Sequence, residues 1–96
     1  MQTITEEDFK EKIKNVLIVQ FSAAWCGPCK TLTKTIDSCE DQLSNKIYKM
    51  DIDAHPKLAS ALGIRSVPTI IRFENGKEVT RIVGNQSSTS LKTFAS

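Results

Sequence analysis

No apolar run in the 96-residue sequence approaches the roughly 20 residues that cross a bilayer, so a membrane-spanning helix is excluded. Strong charge of either sign is also missing. Thirteen Lys and Arg stand against eleven Asp and Glu, a net charge of +2, too balanced to expect binding to nucleic acid or a membrane surface. Cysteine is scarce: three residues, an odd number, are too few for a disulfide-stapled scaffold. The opening Met1-Gln2-Thr3-Ile4-Thr5-Glu6-Glu7-Asp8 is acidic where a secretory signal is basic and has no apolar core, so a cytoplasmic location is expected. Linkers, repeats and low-complexity stretches are absent too. What is present, 40% hydrophobic and 25% charged residues, matches one small folded domain over residues 1–96.

Local patterns divide the chain into elements. Thr5 followed by Glu6, Glu7 and Asp8 reads as a capped helix start, with Asp8 at the capping-box position. Ile4 and Phe9 are spaced to form a hydrophobic staple, and this helix is expected to end near Asn15. Gln2 to Ile4 can add a short edge strand. Val16 to Phe21 is a continuous β-branched and aromatic run, interrupted only by Gln20, as in a strand buried on both faces. Cys29, Leu32, Ile36, Cys39 and Leu43 then recur at helical spacing, so a helix is expected from Cys26 to Leu43. Ile47 to Ile52 reads as the next strand, which completes a βαβ unit. His55-Pro56 opens a short helix closed by Gly63. Thr69–Phe73 and Glu78–Val83 are strands joined by Asn75-Gly76, a strong hairpin signal. Ser87 or Ser88 caps a last helix containing Leu91 and Phe94. The expected architecture is α/β with a mixed sheet.

The sharpest feature is Trp25-Cys26-Gly27-Pro28-Cys29, where a buried strand meets a helix N-terminus. Unpaired backbone N–H groups and the helix dipole stabilise a thiolate at such a place, lowering a cysteine pKa from its free value of about 8.5. Cys26 lies at the mouth of the helix as the exposed sulfur, and Cys29 lies one turn in, on the inward stripe. The spacing brings the two sulfurs to disulfide distance. Pro28 costs no helix hydrogen bond in the first turn, and Gly27 leaves room for a substrate backbone.

This motif, with Gly63-Ile64-Arg65-Ser66-Val67-Pro68-Thr69, Phe73-Glu74-Asn75-Gly76-Lys77 and Gly84 in order behind it, resembles the thioredoxin family over essentially the whole chain. The resemblance implies a thioredoxin fold: a central mixed parallel and antiparallel sheet of four to five strands, flanked by helices on both faces. It also implies a protein-disulfide reductase working by dithiol–disulfide exchange in redox homeostasis, without a cofactor or metal of its own. Cys26 would attack as nucleophile and Cys29 would resolve the mixed disulfide. Pro68 matches the family's cis-proline, and the backbone of Val67 would pair with an extended substrate segment. Trp25, Gly27, Pro28, Gly63, Ile64 and Gly84 would shape the surface around Cys26. The implied partners are disulfide-containing substrate proteins and an NADPH-dependent thioredoxin reductase, and the expected state is a monomer.

Two positions depart from the family's pattern. Gln20 stands where a buried Asp is usual, near a Lys that Lys49 matches. An amide cannot take a proton at neutral pH, so Cys29 is expected to be activated by water or by Lys49 electrostatically, without a carboxylate base, or else Gln20 simply satisfies a buried polar partner. Lys34 replaces a frequent mid-helix proline, which predicts a straighter helix. Among other readings, Cys26, Cys29, Cys39 and His55 lack the usual spacing of a zinc site. Cys39 fits a small buried apolar side chain better than a regulatory or dimerising thiol. His55 is expected in a surface loop, and Lys30 as a solvated side chain that adds positive potential near the thiolate. Asp51, Asp53 and Glu74 are not gathered by any pattern. An oxidase or isomerase of similar architecture, and an assembly subunit whose dithiol is unused, are the alternative functions.

Overall fold

Each helix begins at a side chain able to hold its free amides or at a proline that has none to hold. The computed structural model describes residues 1–96. In it, α1 (Glu6–Lys12) starts at Thr5, whose hydroxyl accepts from the Asp8 amide while the Asp8 carboxylate accepts from the Thr5 amide. The helix ends earlier than Asn15, with Ile13 as its cap: the Asn15 amide bonds the Lys12 carbonyl in a tighter turn instead of reaching back to Glu11, and the free Ile13 carbonyl accepts from the Gly76 amide at the hairpin tip. Strand β1 (Leu17–Ser22) is buried along its whole length. Val16, expected inside it, is outside the ladder and exposed.

Helix α2 spans Gly27–Cys39 and runs unbroken through Lys34. It stops short of Leu43 because the backbone of Cys39 leaves helical geometry, and Glu40–Gln42 tighten into a 3₁₀ turn. Strand β2 (Ile47–Asp51), α3 (Pro56–Ala61), β3 (Thr69–Glu74), β4 (Lys77–Val83) and α4 (Ser88–Phe94) follow. Asn75 and Gly76 both have positive φ, 55° and 83°, as the two-residue β3–β4 turn requires. Ser87 caps α4 by accepting from the Ser90 amide.

The strands lie in the order β2-β1-β3-β4. The β1–β2 pair is parallel, and β1–β3 and β3–β4 are antiparallel, giving the expected mixed sheet of four strands. Gln2 to Ile4 contribute a single parallel bridge, Thr3 to Lys49, rather than a fifth strand. On β4, Val79 bulges out of the ladder between Thr80 and Glu78, and this bulge with its charged neighbours blunts an exposed edge.

Alternation along the strands sends side chains to two cores. Leu17, Val19, Phe21, Met50, Ile71 and Phe73 meet Ile4 and Phe9 at one face, with Leu58 and Leu62 of the α3 region beside them. Phe9 and Phe73 stack edge to face, ring centres 5.1 Å apart. Ile18, Ile47 and Ile70 meet Leu32, Ile36 and Cys39 of α2 and Leu91 of α4 at the other. The free Cys39 is thus a packed core side chain, as its place on the stripe predicts. Because β1 and β2 are parallel, the segments that follow them emerge at the same edge of the sheet, and the chemistry is assembled there.

Candidate active site

Ser22 ends β1, and Ala23-Ala24-Trp25 turns the chain, with the Cys26 amide donating to the Ala23 carbonyl at 3.1 Å. Cys26 is the N-cap residue of α2. Its Sγ accepts from the Cys29 amide at 3.1 Å, taking the place of the serine or aspartate oxygen usual at helix starts. Pro28, in the first turn, removes no helical hydrogen bond. Cys26 and Cys29 are joined as a disulfide, their Cα atoms 5.3 Å apart. Contrary to the sequence expectation, Cys26 is not an exposed sulfur: Cys26 is 4% exposed and Cys29 2%. The cause is packing: Ile52 and Val67, from distant segments, close around the pair together with neighbouring Ala23.

Val67 approaches from the loop before β3, its carbonyl oxygen 3.7 Å from Cys26 Sγ. In the disulfide that sulfur carries no proton, so this is a van der Waals contact. The Val67–Pro68 peptide bond is cis. The Pro68 carbonyl accepts from the Gly84 amide at 2.9 Å, which brings Gly84 against the Val67–Pro68 loop. The space over Gly27 is open, and a Cβ there would touch nothing in the protein. Gly63 carries the positive φ that ends α3, and Ile64 packs toward the α1–α3 core.

Trp25 is 70% exposed, yet its ring is held: Nε1–H donates to the Asp53 carboxylate at 2.9 Å. The Asp53 amide in turn donates to Asp51 Oδ1 at 2.8 Å. Sequence patterning assigns these two aspartates no site. An Asp-x-Asp leaving the strand parallel to β1 was the available signal, because parallel neighbours end at a common edge.

Gln20 is fully buried on the α2 side of β1. Its Nε2 donates to the Cys29 carbonyl at 3.2 Å, and its Oε1 accepts from the Thr33 hydroxyl at 3.3 Å. Both ends of the amide are engaged, as in the reading where Gln20 satisfies buried polar groups. Lys49 is its register partner on β2, and its side chain lines a cleft together with Cys29. His55 is the half-buried residue before α3, its Nδ1 3.9 Å from Glu6. No group of three or more His, Cys, Asp or Glu comes together.

One disulfide at the rim of a mixed α/β sheet, held across the first turn of a helix, has a particular chemistry within reach: two electrons pass between it and another pair of thiols. That places the protein among the dithiol–disulfide oxidoreductases. The family model described as Thioredoxin matches residues 1–96, and the chain belongs to the thioredoxin family. It is 41% identical over 93 residues to a thioredoxin of Chlamydia caviae, covering 95% of this chain and 91% of that one. With a thioredoxin of Rickettsia prowazekii it shares 40% over 96 residues, at the same coverage. Among solved structures, a thioredoxin of Malassezia sympodialis superposes with a TM-score of 0.85 at 31% identity, covering 98% of this chain and 88% of that one. A point mutant of a Halobacterium salinarum thioredoxin gives 0.80 at 36%, covering 99% and 84%. The protein is an oxidoreductase acting through a redox-active Cys26–Cys29 pair, and thioredoxins act on disulfide-containing proteins.

Proposed function

We propose that Cys26 is the attacking sulfur of a general protein-disulfide reductase and that Cys29 resolves. The observation carrying this reading is the Cys29 amide aimed at Cys26 Sγ, 3.1 Å away, at the start of a 13-residue helix. A thiolate at Cys26 keeps that donor and the helix dipole, whereas Cys29 lies inside the helix. Attack by the Cys26 thiolate forms a mixed disulfide and releases one substrate sulfur as thiolate. Cys29 then attacks Cys26, the second substrate sulfur leaves, and the Cys26–Cys29 disulfide closes. Two electrons pass from the dithiol to the substrate.

The backbone of Val67 takes no part in the β3–β4 ladder and lies against Cys26, where it is free to pair with an extended substrate segment. Exposed Trp25, Gly27, Pro28 and Val83 and half-buried Gly84 form the surrounding contact surface, with Pro68 buried beside Gly84. Residues 1–96 act as one domain, as a monomer in the cytoplasm, recharged by an NADPH-dependent thioredoxin reductase. The test is insulin reduction, first with a small dithiol donor and then coupled to NADPH and a thioredoxin reductase. Turnover in both, lost when both cysteines become serine, is expected. Turnover that survives the double replacement would overturn the reading, and turnover with the donor alone would overturn only the partner.

A further inference from the structure

Beside Cys29 lies a cleft of about 260 Å³ that Val67 does not line. Cys29 lines it and Cys26 does not. Thr3, Ser22, Thr33, Lys49 and Asp51 supply most of the rest of the wall. The cleft forms because Ser22 and Asp51 are register partners at the shared end of parallel strands, with the first turn of α2 across from them. A water occupies about 30 Å³ of the liquid, so the space has room for several, with hydroxyl, ammonium and carboxylate groups among the lining residues.

The resolving step requires a proton to leave the Cys29 thiol. Gln20 cannot accept it, since an amide is not a base and both of its ends are already bonded, to Cys29 and to Thr33. The charged groups facing the cleft are Lys30 from α2 and Lys49 and Asp51 from β2, with Asp53 behind Asp51 through its amide. An ammonium has no acceptor to offer, whereas a carboxylate has two oxygens. Asp51 Oδ1 is held by the Asp53 amide at 2.8 Å, and Oδ2 has no protein donor.

We propose that Asp51 accepts, through water in this cleft, the proton that Cys29 releases when it resolves the mixed disulfide. The assignment rests on Cys29 being the resolving sulfur. The Cys29–H bond breaks as the Cys29 sulfur forms a bond to Cys26 Sγ. The electron pair of the Cys26–substrate bond departs with the substrate sulfur. That thiolate is reprotonated from solvent, and Asp51 returns its proton to water. Lys30 and Lys49 favour the transient negative charge at Cys29. Asp51 acts through water and so positions and relays a proton without touching the reacting sulfurs.

The experiment uses the reduced protein and an aromatic disulfide that releases one coloured thiolate at each step, followed by stopped flow from pH 6 to 9. The fast phase reports attack by Cys26 and the second phase reports resolution. Asp51→Asn keeps the oxygen that accepts from the Asp53 amide, so the loop is preserved. At pH 6 to 7 it is expected to slow the second phase relative to the first about tenfold, less than a directly placed general base commonly contributes. The wild-type second phase stays nearly level across neutral pH, while that of Asp51→Asn rises with pH and converges on the wild type near pH 9. Asp51→Glu restores most of the neutral-pH rate. An unchanged second phase in Asp51→Asn, or equal slowing of both phases, would overturn the assignment. In Cys29→Ser the second phase should vanish. If it persists there, the choice of resolving sulfur is wrong, a failure separate from that of Asp51.

Discussion

On the Cys26 side, the disulfide meets the carbonyl of Val67 and a rim where Trp25 and Val83 expose apolar surface. On the Cys29 side it meets the carbonyl-bound amide of Gln20 and a cleft walled by Thr33, Lys49 and Asp51. The two sulfurs are three residues apart, yet one is the cap of α2 and the other lies within its first turn. The first region is apolar, with backbone groups available to a protein partner. The second brings charged and hydroxyl-bearing residues to the wall of a cleft of a size for a few waters. On the proposed reading, recognition and proton movement fall to different sulfurs of a single bond, and each can be altered while the other is watched.

The largest effect is expected from the bond itself. Cys26→Ser and Cys29→Ser should each reduce turnover of a protein disulfide to the uncatalysed rate, because either change removes the covalent route. Turnover retained by either variant would erase the distinction between the two sides.

Next comes Gln20→Leu, which strips the buried Cys29 side of two hydrogen bonds. It should cost about 1–3 kcal/mol, as leaving buried polar groups without partners does. Urea unfolding should show a lower midpoint at an unchanged slope, while the fast attack by Cys26 keeps its rate. A slowed attack with unchanged stability would reverse the assignment of Gln20.

On the Cys26 side, Asp53→Ala frees the Trp25 ring but keeps the amide that Asp51 accepts. Losing this exposed hydrogen bond should cost about 1 kcal/mol or less, and slow attack on a protein substrate by about twofold to fivefold. Resolution should not change. If resolution slows instead, the two sides are coupled through the Asp51–Asp53 loop.

The smallest effect lies outside both regions. Arg81, hydrogen-bonded to Glu78 at 2.6 Å, holds the Glu78 carboxyl below the usual carboxylate range, and the same bond raises Arg81. A lowered folded-state pKa means the stability is present above the unfolded carboxyl range and lost as pH falls through the folded value. The pair is largely solvent-screened, so the loss should be below about 1 kcal/mol. Comparing acid unfolding of the protein and Glu78→Gln reads it, and exchange kinetics at neutral pH should be the same for both.

Much of this was legible in the sequence because it is local. The Thr5–Asp8 capping box, the Cys29–Leu32–Ile36–Cys39 stripe and the Asn75-Gly76 turn each depend on residues within a few positions of one another, and each forms as patterned. The Cys26–Cys29 pair was legible for the same reason. What was hidden depends on register between distant segments. Asp53 reaches Trp25 across 28 residues, and Asp51 reaches the cleft because it pairs with Ser22 on the parallel neighbour. Periodicity within one strand carries no such information. The burial of Cys26 was missed likewise, since Val67, 41 residues away, supplies the cover. At the other end, the docking of the hairpin tip on the α1 terminus, where the Gly76 amide reaches the Ile13 carbonyl, is another contact between remote residues.

The division of labour between the sulfurs is tested most directly by trapping. Each single-serine variant is incubated with a disulfide-bonded peptide, and the adduct is located by mass spectrometry of the unreduced digest. Cys29→Ser should accumulate one peptide joined to Cys26, whereas Cys26→Ser should accumulate almost none. Accumulation on Cys29 in the Cys26→Ser variant, at a comparable rate, would contradict the account.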